Sequence, residues 1–124
     1  MENKYLSYDA QRAPKVREMF SRLAGRYDLV NDVMSLGMHR RWKKDTVAIA
    51  LAAVPRPRRW LDLCCGTGDM CFLAEERGGQ GLRVTGADFT LPMLTVARRR
   101  RDGSRRSTAF VQADALELPF ADGS

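Results

Sequence analysis

Apolar residues recur every three or four positions through the first fifty residues of the chain, which is the spacing of amphipathic helices. The first predicted helix begins near Pro14, and a third runs from about His39 to Ala53, before two prolines. Between them a short amphipathic segment ends at Gly37. The apolar face of the first helix comprises Val16, Met19, Phe20, Leu23, Ala24 and Tyr27, and that of the second comprises Leu29, Val30, Val33, Met34 and Leu36.

The pattern changes after residue 57 to short apolar runs separated by glycine turns. The predicted strands are Trp60 to Cys64, Leu82 to Ala87 (ending at Asp88) and Thr108 to Gln112, and the predicted helices are Met70 to Arg77 and Leu91 to Arg101. Strand and helix alternate, which is typical of an α/β fold with a parallel sheet. We therefore divide the chain into a flexible N-terminus (1–13), a helical segment (14–54) and an α/β unit (55–124).

The length of 124 residues suits one small domain, and no apolar run approaches the ~18 residues of a membrane span. The N-terminus lacks the basic-then-apolar pattern of a signal peptide, so we expect a cytoplasmic protein. Cys64, Cys65 and Cys71 are an odd, clustered set that makes a poor disulfide framework. The only histidine lies far from them, so we expect no metal site and interpret the cysteines as small buried residues.

The net charge of +6 is concentrated near Arg58 and in the run Arg98 to Arg101. Cations favour the end of a helix, so the simplest interpretation of the run is a solvated helix terminus. Attraction to an anionic membrane surface is an alternative. The chain has no recognisable nucleic-acid motif, so we expect no nucleic-acid partner.

The segment from Leu61 to Asp69 carries the candidate chemistry, because a strand runs into a Gly-x-Gly turn formed by Gly66 and Gly68. Glycines there let a ligand approach the backbone closely. Cys71 occupies the third glycine position of a dinucleotide fingerprint, and no Gly-Lys-Ser/Thr follows, so the pattern disfavours both a dinucleotide and a phosphate loop. Asp62 suits a cofactor with cationic sulfonium and ammonium groups.

Two further acids follow the next two predicted strands. Asp88 lies 20 residues after Gly68, where a carboxylate can accept hydrogen bonds from ribose hydroxyls. The alternative is that it caps the following helix. Asp114 and Ala115 follow the third strand, where a carboxylate and a backbone N–H can contact adenine, although a simple loop aspartate is the alternative. All three strands would present these groups at the carboxyl edge of the sheet.

These segments resemble class I S-adenosylmethionine-dependent methyltransferases, which have a Rossmann-like fold. The matching segments are Leu61 to Asp69, Gly86 to Phe89, Pro92 to Leu94 and Ala113 to Phe120. The upstream run from Met19 to Lys43 is more specific and resembles the ubiquinone/menaquinone biosynthesis C-methyltransferase (UbiE/MenG) family. Many methyltransferases have glycine where this chain has Cys64.

The resemblance implies methyl transfer from S-adenosylmethionine to a ring carbon of a prenylated demethylquinol. It also implies cofactor contacts by Thr67, Asp88, Asp114 and Ala115. Pocket candidates in the helical segment are Tyr27, Asn31 and His39, although Tyr27 could be core and His39 could begin a helix. No catalytic base is identified. Three further partners remain open: a membrane surface, a second copy of the chain in a homo-oligomer, and a complementary C-terminal chain.

Family members continue with four more strands in a seven-stranded sheet, so we expect this chain to be an N-terminal portion that holds the first three. The fourth strand would pair with the Trp60 strand, whose edge is otherwise open. Two alternatives remain: a methyltransferase of another small molecule, and an inactive fragment that binds S-adenosylmethionine and pairs with another chain.

Overall fold

The computed structural model describes residues 12–124, and its N-terminal part consists of three helices. They are α1 (Arg12–Leu23), α2 (Tyr27–Ser35) and α3 (Met38–Ala53). Helix α1 begins at Arg12, two residues before Pro14, and so includes the last two residues of the predicted N-terminal segment 1–13. The rest of that segment lies outside the described residues. Tyr27 begins α2 and does not extend α1, because a turn in which the Arg26 N–H donates to Leu23 O (2.8 Å) separates the helices.

Three parallel strands and two helices form the remainder, in the order β1 (Arg59–Leu63), α4 (Asp69–Arg77), β2 (Arg83–Asp88), α5 (Leu91–Gly103) and β3 (Ala109–Gln112). The spatial order is β1-β2-β3, with Asp62 beside Gly86 and Asp88 beside Gln112. The connections from β1 to β2 and from β2 to β3 run in the same direction across the sheet. Because such connections are right-handed, α4 and α5 lie on the same face of the sheet. The predicted parallel α/β arrangement is confirmed, with element ends that differ by one or two residues.

The core lies between that face of the sheet and helices α3 and α4. Its central buried residues are Val47, Cys71, Ala74, Leu82 and Val84, and Trp60 and Phe110 pack against them. Phe72 of α4 meets Phe110 of β3 edge-to-face, with ring centroids 5.9 Å apart. Val47 of α3 is fully buried in this core and Leu51 of the same helix packs against it, so these two residues link the helical segment to the core.

Gly86 allows α4 to lie close to the middle strand. A Cβ atom at this position would lie 2.8 Å from Cys71 Sγ and 2.8 Å from the Phe110 ring, closer than real Cβ contacts. The absence of a side chain at Gly86 thus sets the distance between helix and sheet, which in turn fixes the turn that joins β1 to α4.

The opposite face of the sheet is more open. Leu61 and Leu63 of β1 point to that side and are 45% and 42% exposed. Residues 115–124 lie across part of this face and leave a cavity of about 920 Å³ against Leu61 and Thr85. No helix among residues 12–124 is both long and apolar enough to cross a membrane.

Candidate active site

The turn between β1 and α4 is held to the end of β2 by Asp88. The Gly66 N–H donates to Asp88 Oδ2 (2.9 Å) and the Thr90 N–H donates to Asp88 Oδ1 (2.8 Å). Asp88 therefore anchors the glycine turn and fixes the backbone of Thr90, the residue before α5. A carboxylate has about four acceptor positions, so these two bonds leave capacity for further donors. A Cβ atom placed on Gly66 would meet nothing within 4 Å, so the turn faces open space.

Gly68 has a different function in the same turn. Its φ of 88° is the left-handed conformation that favours glycine, and a Cβ atom there would lie 2.9 Å from the Phe110 ring. Its carbonyl accepts the Phe72 N–H (3.0 Å) in the first turn of α4. Gly66 thus leaves open space beside the turn, and Gly68 is required for packing.

Asp62 lies at the same edge but points toward α4. Its Oδ2 accepts a hydrogen bond from Cys71 Sγ at 3.2 Å. Burial raises the pKa of Asp62, which the hydrogen bond from Cys71 opposes, and the nearby negative charge of Asp88 adds to the rise. The charged form of such a half-buried carboxylate is stabilised when a cation lies next to it.

Asp114 and Ala115 follow β3 at this edge and are both exposed. The Ala113 N–H donates to Asp88 O (3.0 Å), so the backbone pairing of β2 and β3 continues past the strand ends. Asp114 Oδ1 accepts the Leu116 N–H (2.9 Å), which fixes the local turn. Asp62, Asp88 and Asp114 therefore lie at the carboxyl ends of three adjacent strands, as the sequence predicts.

Thr67 is buried and faces α5. Its carbonyl oxygen and its hydroxyl both accept hydrogen bonds from Arg100 Nη1, at 2.9 and 3.2 Å. Arg100 Nη1 also lies 2.7 Å from Asp69 Oδ1. Arg100 therefore helps to hold Thr67 in position.

Asp69 joins the helical segment to the glycine turn. Lys43 Nζ of α3 lies 2.6 Å from Asp69 Oδ2, opposite the contact with Arg100. Burial would raise the pKa of Asp69, but the hydrogen bonds from Lys43 and Arg100 outweigh it and hold the pKa below its usual value. These three side chains line a cavity of about 390 Å³ between α3, α4 and α5. Sequence reasoning missed this cluster, although an acid in the first turn of a helix was a signal.

The cysteines differ from one another in their surroundings. Cys71 is fully buried, as predicted, and a hydrogen bond with Cys65 together with burial raises its pKa far above the usual thiol value. Cys64 is exposed and has a φ of 60°, so the interpretation of all three as buried residues is wrong for this one. Cys71 thus remains a protonated thiol that donates to Asp62.

Each candidate pocket residue of the helical segment contacts a neighbouring residue of that segment. Tyr27 packs on Phe20 with ring centroids 6.1 Å apart. His39 Nδ1 lies 2.8 Å from Ser35 Oγ, and Ser35 Oγ donates to the carbonyl of Asn31 at 2.7 Å. His39 Nε2 lies 3.6 Å from a carboxylate oxygen of Asp32. These contacts hold the connection between α2 and α3.

The arginines near the end of α5 are not merely a solvated terminus. Arg98 donates to Phe110 O (3.1 Å), Arg101 to Thr108 O (3.4 Å) and Arg106 to Phe72 O (2.9 Å). Together with the bond from Arg100 to Thr67, they join α5 and the following loop to β3, α4 and the glycine turn. Guanidinium groups have the reach and donor number for this, whereas sequence reasoning considered only their charge.

Comparison with known proteins places these features in a family. The chain is 46% identical over 106 residues to demethylmenaquinone methyltransferase of Thermus thermophilus, covering 86% of this chain and 47% of that protein. It is 44% identical over 116 residues to ubiquinone/menaquinone biosynthesis C-methyltransferase UbiE of Azotobacter vinelandii, covering 92% and 45%. The chain thus spans about half the length of the curated relatives that it matches.

The fold can also be compared with that of a solved structure. It aligns with a magnesium protoporphyrin IX methyltransferase from Synechocystis, solved with bound SAH, at a TM-score of 0.55 and 21% identity over 64% of this chain and 37% of that one. This likeness shows a shared Rossmann-like methyltransferase fold. The model of the ubiE/COQ5 methyltransferase family matches residues 8–124, and the chain belongs to that family.

Proposed function

We propose that this chain provides the S-adenosylmethionine-binding part of a C-methyltransferase of quinone biosynthesis. The observation that carries the proposal is the convergence of Asp62, Asp88 and Asp114 on one sheet edge around the open side of Gly66. Ligands of open parallel sheets bind at this edge. Membership of the ubiE/COQ5 family and the names of the relatives support the quinone-related substrate.

Each acid suits a different part of S-adenosylmethionine. Asp88, with two backbone donors already bound, keeps acceptor positions for the ribose hydroxyls. Asp114 and the Ala115 N–H are exposed next to it and suit the adenine ring. The half-buried Asp62 suits the cationic methionine end, because a positive group would offset the burial of its charge. Gly66, Thr67 and Gly68 form the backbone of the turn between these positions.

S-adenosylmethionine supplies an electrophilic methyl group when it is bound. The contribution of the chain is to hold that group in line with a nucleophilic ring carbon, because correct orientation removes much of the entropic barrier. The contact from Lys43 to Asp69 brings α3 to the glycine turn, so we place the quinol ring between the helical segment and that turn. The proposed substrate is a prenylated demethylquinol.

The substrate suggests further partners for the whole protein. A prenylated quinol resides in a lipid bilayer, so we propose peripheral contact with a membrane surface. The open sheet face at Leu61 and Leu63 suits an additional layer, from a second copy or from a complementary C-terminal segment. We propose no nucleic-acid partner, because Arg98, Arg101 and Arg106 of the arginine cluster are engaged with carbonyl groups of the chain itself.

Substitution of Asp88 tests the cofactor assignment. Asp88→Ala should weaken the binding of S-adenosylmethionine at least about tenfold, equivalent to ~1.5 kcal/mol for lost hydrogen bonds to a charged group. Isothermal titration calorimetry measures the affinity, and Asp102→Ala at the exposed end of α5 is the matched control. Equal affinity for both variants would contradict the assignment. Mass spectrometry of the product formed from a prenylated demethylquinol, or from other small acceptors, then tests the substrate class.

A further inference from the structure

Helices α2 and α3 and the turn between them carry seven exposed apolar side chains between Leu29 and Trp42, which we name the hairpin surface. Their exposed fractions range from 40% at Val30 to 91% at Leu36. The members of the hairpin surface are Leu29, Val30, Val33, Met34, Leu36, Met38 and Trp42. A group of this size exceeds the scattered apolar residues of an ordinary surface and marks an interaction site.

The backbone groups several of these residues in pairs. Leu29 and Val33 are four residues apart on α2, as are Met38 and Trp42 on α3, so each pair shares a helix face. Leu36 lies at the tip between the helices, where a φ of 51° and the bond from the Gly37 N–H to Asp32 O (3.0 Å) fix the turn. The most exposed leucine is therefore held outward by a defined turn.

Cations border the hairpin surface. Arg41 is 86% exposed in its side chain and Arg40 is 68% exposed, and both lie one turn from Met38. Lys44 is also exposed, whereas Lys43 is turned inward to Asp69. Asp32 and Asp45 reduce this charge by pairing with Arg40 and Arg41, yet the start of α3 keeps an excess of positive charge. Apolar side chains with a cationic border are the pattern of helices that lie in a membrane interface.

We propose that the hairpin surface docks on a lipid bilayer that contains anionic phospholipid. The apolar side chains would enter the boundary between headgroups and acyl chains, Trp42 would lie at headgroup level, and Arg41 and Lys44 would contact phosphate. The choice of a bilayer as the partner rests on the proposed function. A prenylated substrate that leaves the bilayer at the hairpin surface would be next to α3, and α3 reaches the glycine turn through Lys43 and Asp69. The cationic border favours a bilayer over an apolar protein surface.

Vesicle sedimentation with the full chain tests the apolar part of this proposal. Vesicles of phosphatidylcholine with about one third phosphatidylglycerol should bind the chain. Val33→Ser should lower the vesicle affinity about fivefold or more, because it removes an inserted side chain. Val54→Ser, at the far end of α3 and 53% exposed in the parent, is the matched control and should leave the affinity unchanged. Circular dichroism confirms that both variants keep the parent helix content.

A second pair of variants tests the charge. Arg41→Gln should weaken binding to the anionic vesicles several-fold and have little effect with phosphatidylcholine alone. Arg99→Gln, in the exposed part of the α5 run, should have no effect, which separates the hairpin surface from the arginine cluster. Trp42 emission should shift to the blue when vesicles are added, and Trp42→Phe should abolish that shift.

Several outcomes would overturn the proposal. They are equal vesicle affinity of Val33→Ser and Val54→Ser, no preference for anionic lipid, and a concentration-dependent dimer that Val33→Ser abolishes, since a second copy would then cover the surface. A blue Trp42 emission without vesicles would mean that another segment covers it. Vesicle affinity is measured without S-adenosylmethionine, so Asp88→Ala should bind vesicles like the parent, and failure of the cofactor assignment leaves this test intact.

Discussion

The helical segment α1–α3 and the α/β unit that follows it differ in how they are stabilised. The described part of the helical segment buries only Ala24 and Val47 among its apolar residues, while most of its large apolar side chains are exposed. The α/β unit buries apolar residues on β2, α4 and α5, including Leu94 at 0% exposure. The difference shows that the unit with the cofactor edge provides most of the apolar core, whereas the helical segment depends on other contacts.

The junction between the two regions is mainly polar. Lys43 pairs with Asp69, and Arg77 Nη1 donates to the carbonyl of Lys44 at 3.3 Å. Val47 adds the buried apolar contact. Hydrogen bonds to charged groups contribute about 1.5–3 kcal/mol, so these contacts help to position the segment together with the packing of Val47 and Leu51 against the core.

The largest expected effect sharpens this contrast in packing. Leu94→Ala should lower the free energy of unfolding by about 2–5 kcal/mol, because it leaves a cavity in the α/β unit. Leu29→Ala, which truncates the same residue type on the exposed face of α2, should change it by less than about 0.5 kcal/mol. Urea unfolding followed by circular dichroism measures both. Equal losses would show that the hairpin surface is as important to the fold as the core.

An intermediate effect is expected at the junction. Asp69→Asn removes the charge that holds Lys43 and Arg100, and it should destabilise the protein by about 1–2 kcal/mol after allowance for partial exposure. Amide exchange should rise in α3 and at Thr67 while β2 stays protected. Asp45→Asn, which breaks only the surface pair with Arg41, is the control and should have little effect. Unchanged exchange in α3 would mean that Val47 alone holds the segment.

The smallest expected effect concerns pH, because Asp62 and Asp69 have pKa values displaced in opposite directions. The lowered pKa of Asp69 contributes stability above the ordinary value of 3.8, and this is lost as the pH falls below it. The raised pKa of Asp62 costs stability at neutral pH, and the cost is relieved as the pH falls through that raised value.

Thermal unfolding of two variants across pH separates these effects. Asp62→Asn should raise Tm slightly at pH 7, which corresponds to a gain of up to about 1 kcal/mol in the free energy of unfolding. This gain should disappear near pH 4. Asp69→Asn should lower Tm at pH 7, with the difference from the parent shrinking below pH 3.8. A loss of Tm in Asp62→Asn at neutral pH would show that its bond from Cys71 outweighs the cost of burial.

Local patterns predicted the parallel strands and the three acids at their ends. Each strand begins and ends near its predicted residues, because apolar runs and glycine turns are local signals. The break between α1 and α2 was predicted too late in the chain, since Tyr27 continues the apolar spacing of α1 but begins α2. The family resemblance, and not the periodicity, pointed to the methyltransferase fold.

Contacts between distant residues could not be predicted in the same way. Lys43 and Asp69 are 26 positions apart, and nothing in their local sequence pairs them. The binding of Arg98 and Arg101 to strand carbonyls depends on how α5 lies over β3. Asp88 was predicted either to bind ribose or to cap a helix, and in the structure it caps no helix but accepts the N–H groups of Gly66 and Thr90.

The arginine bonds at α5 also affect how the chain meets proteases that cut after arginine. Such enzymes require an extended, accessible backbone, whereas Arg98 and Arg101 lie within a helix and are bound to carbonyl groups of β3 and the residue before it. Arg58, in the exposed connection between α3 and β1, lies outside any helix and is followed by Arg59 and not by a proline. Limited digestion would therefore begin at that connection, releasing the helical segment first, despite the density of arginines elsewhere.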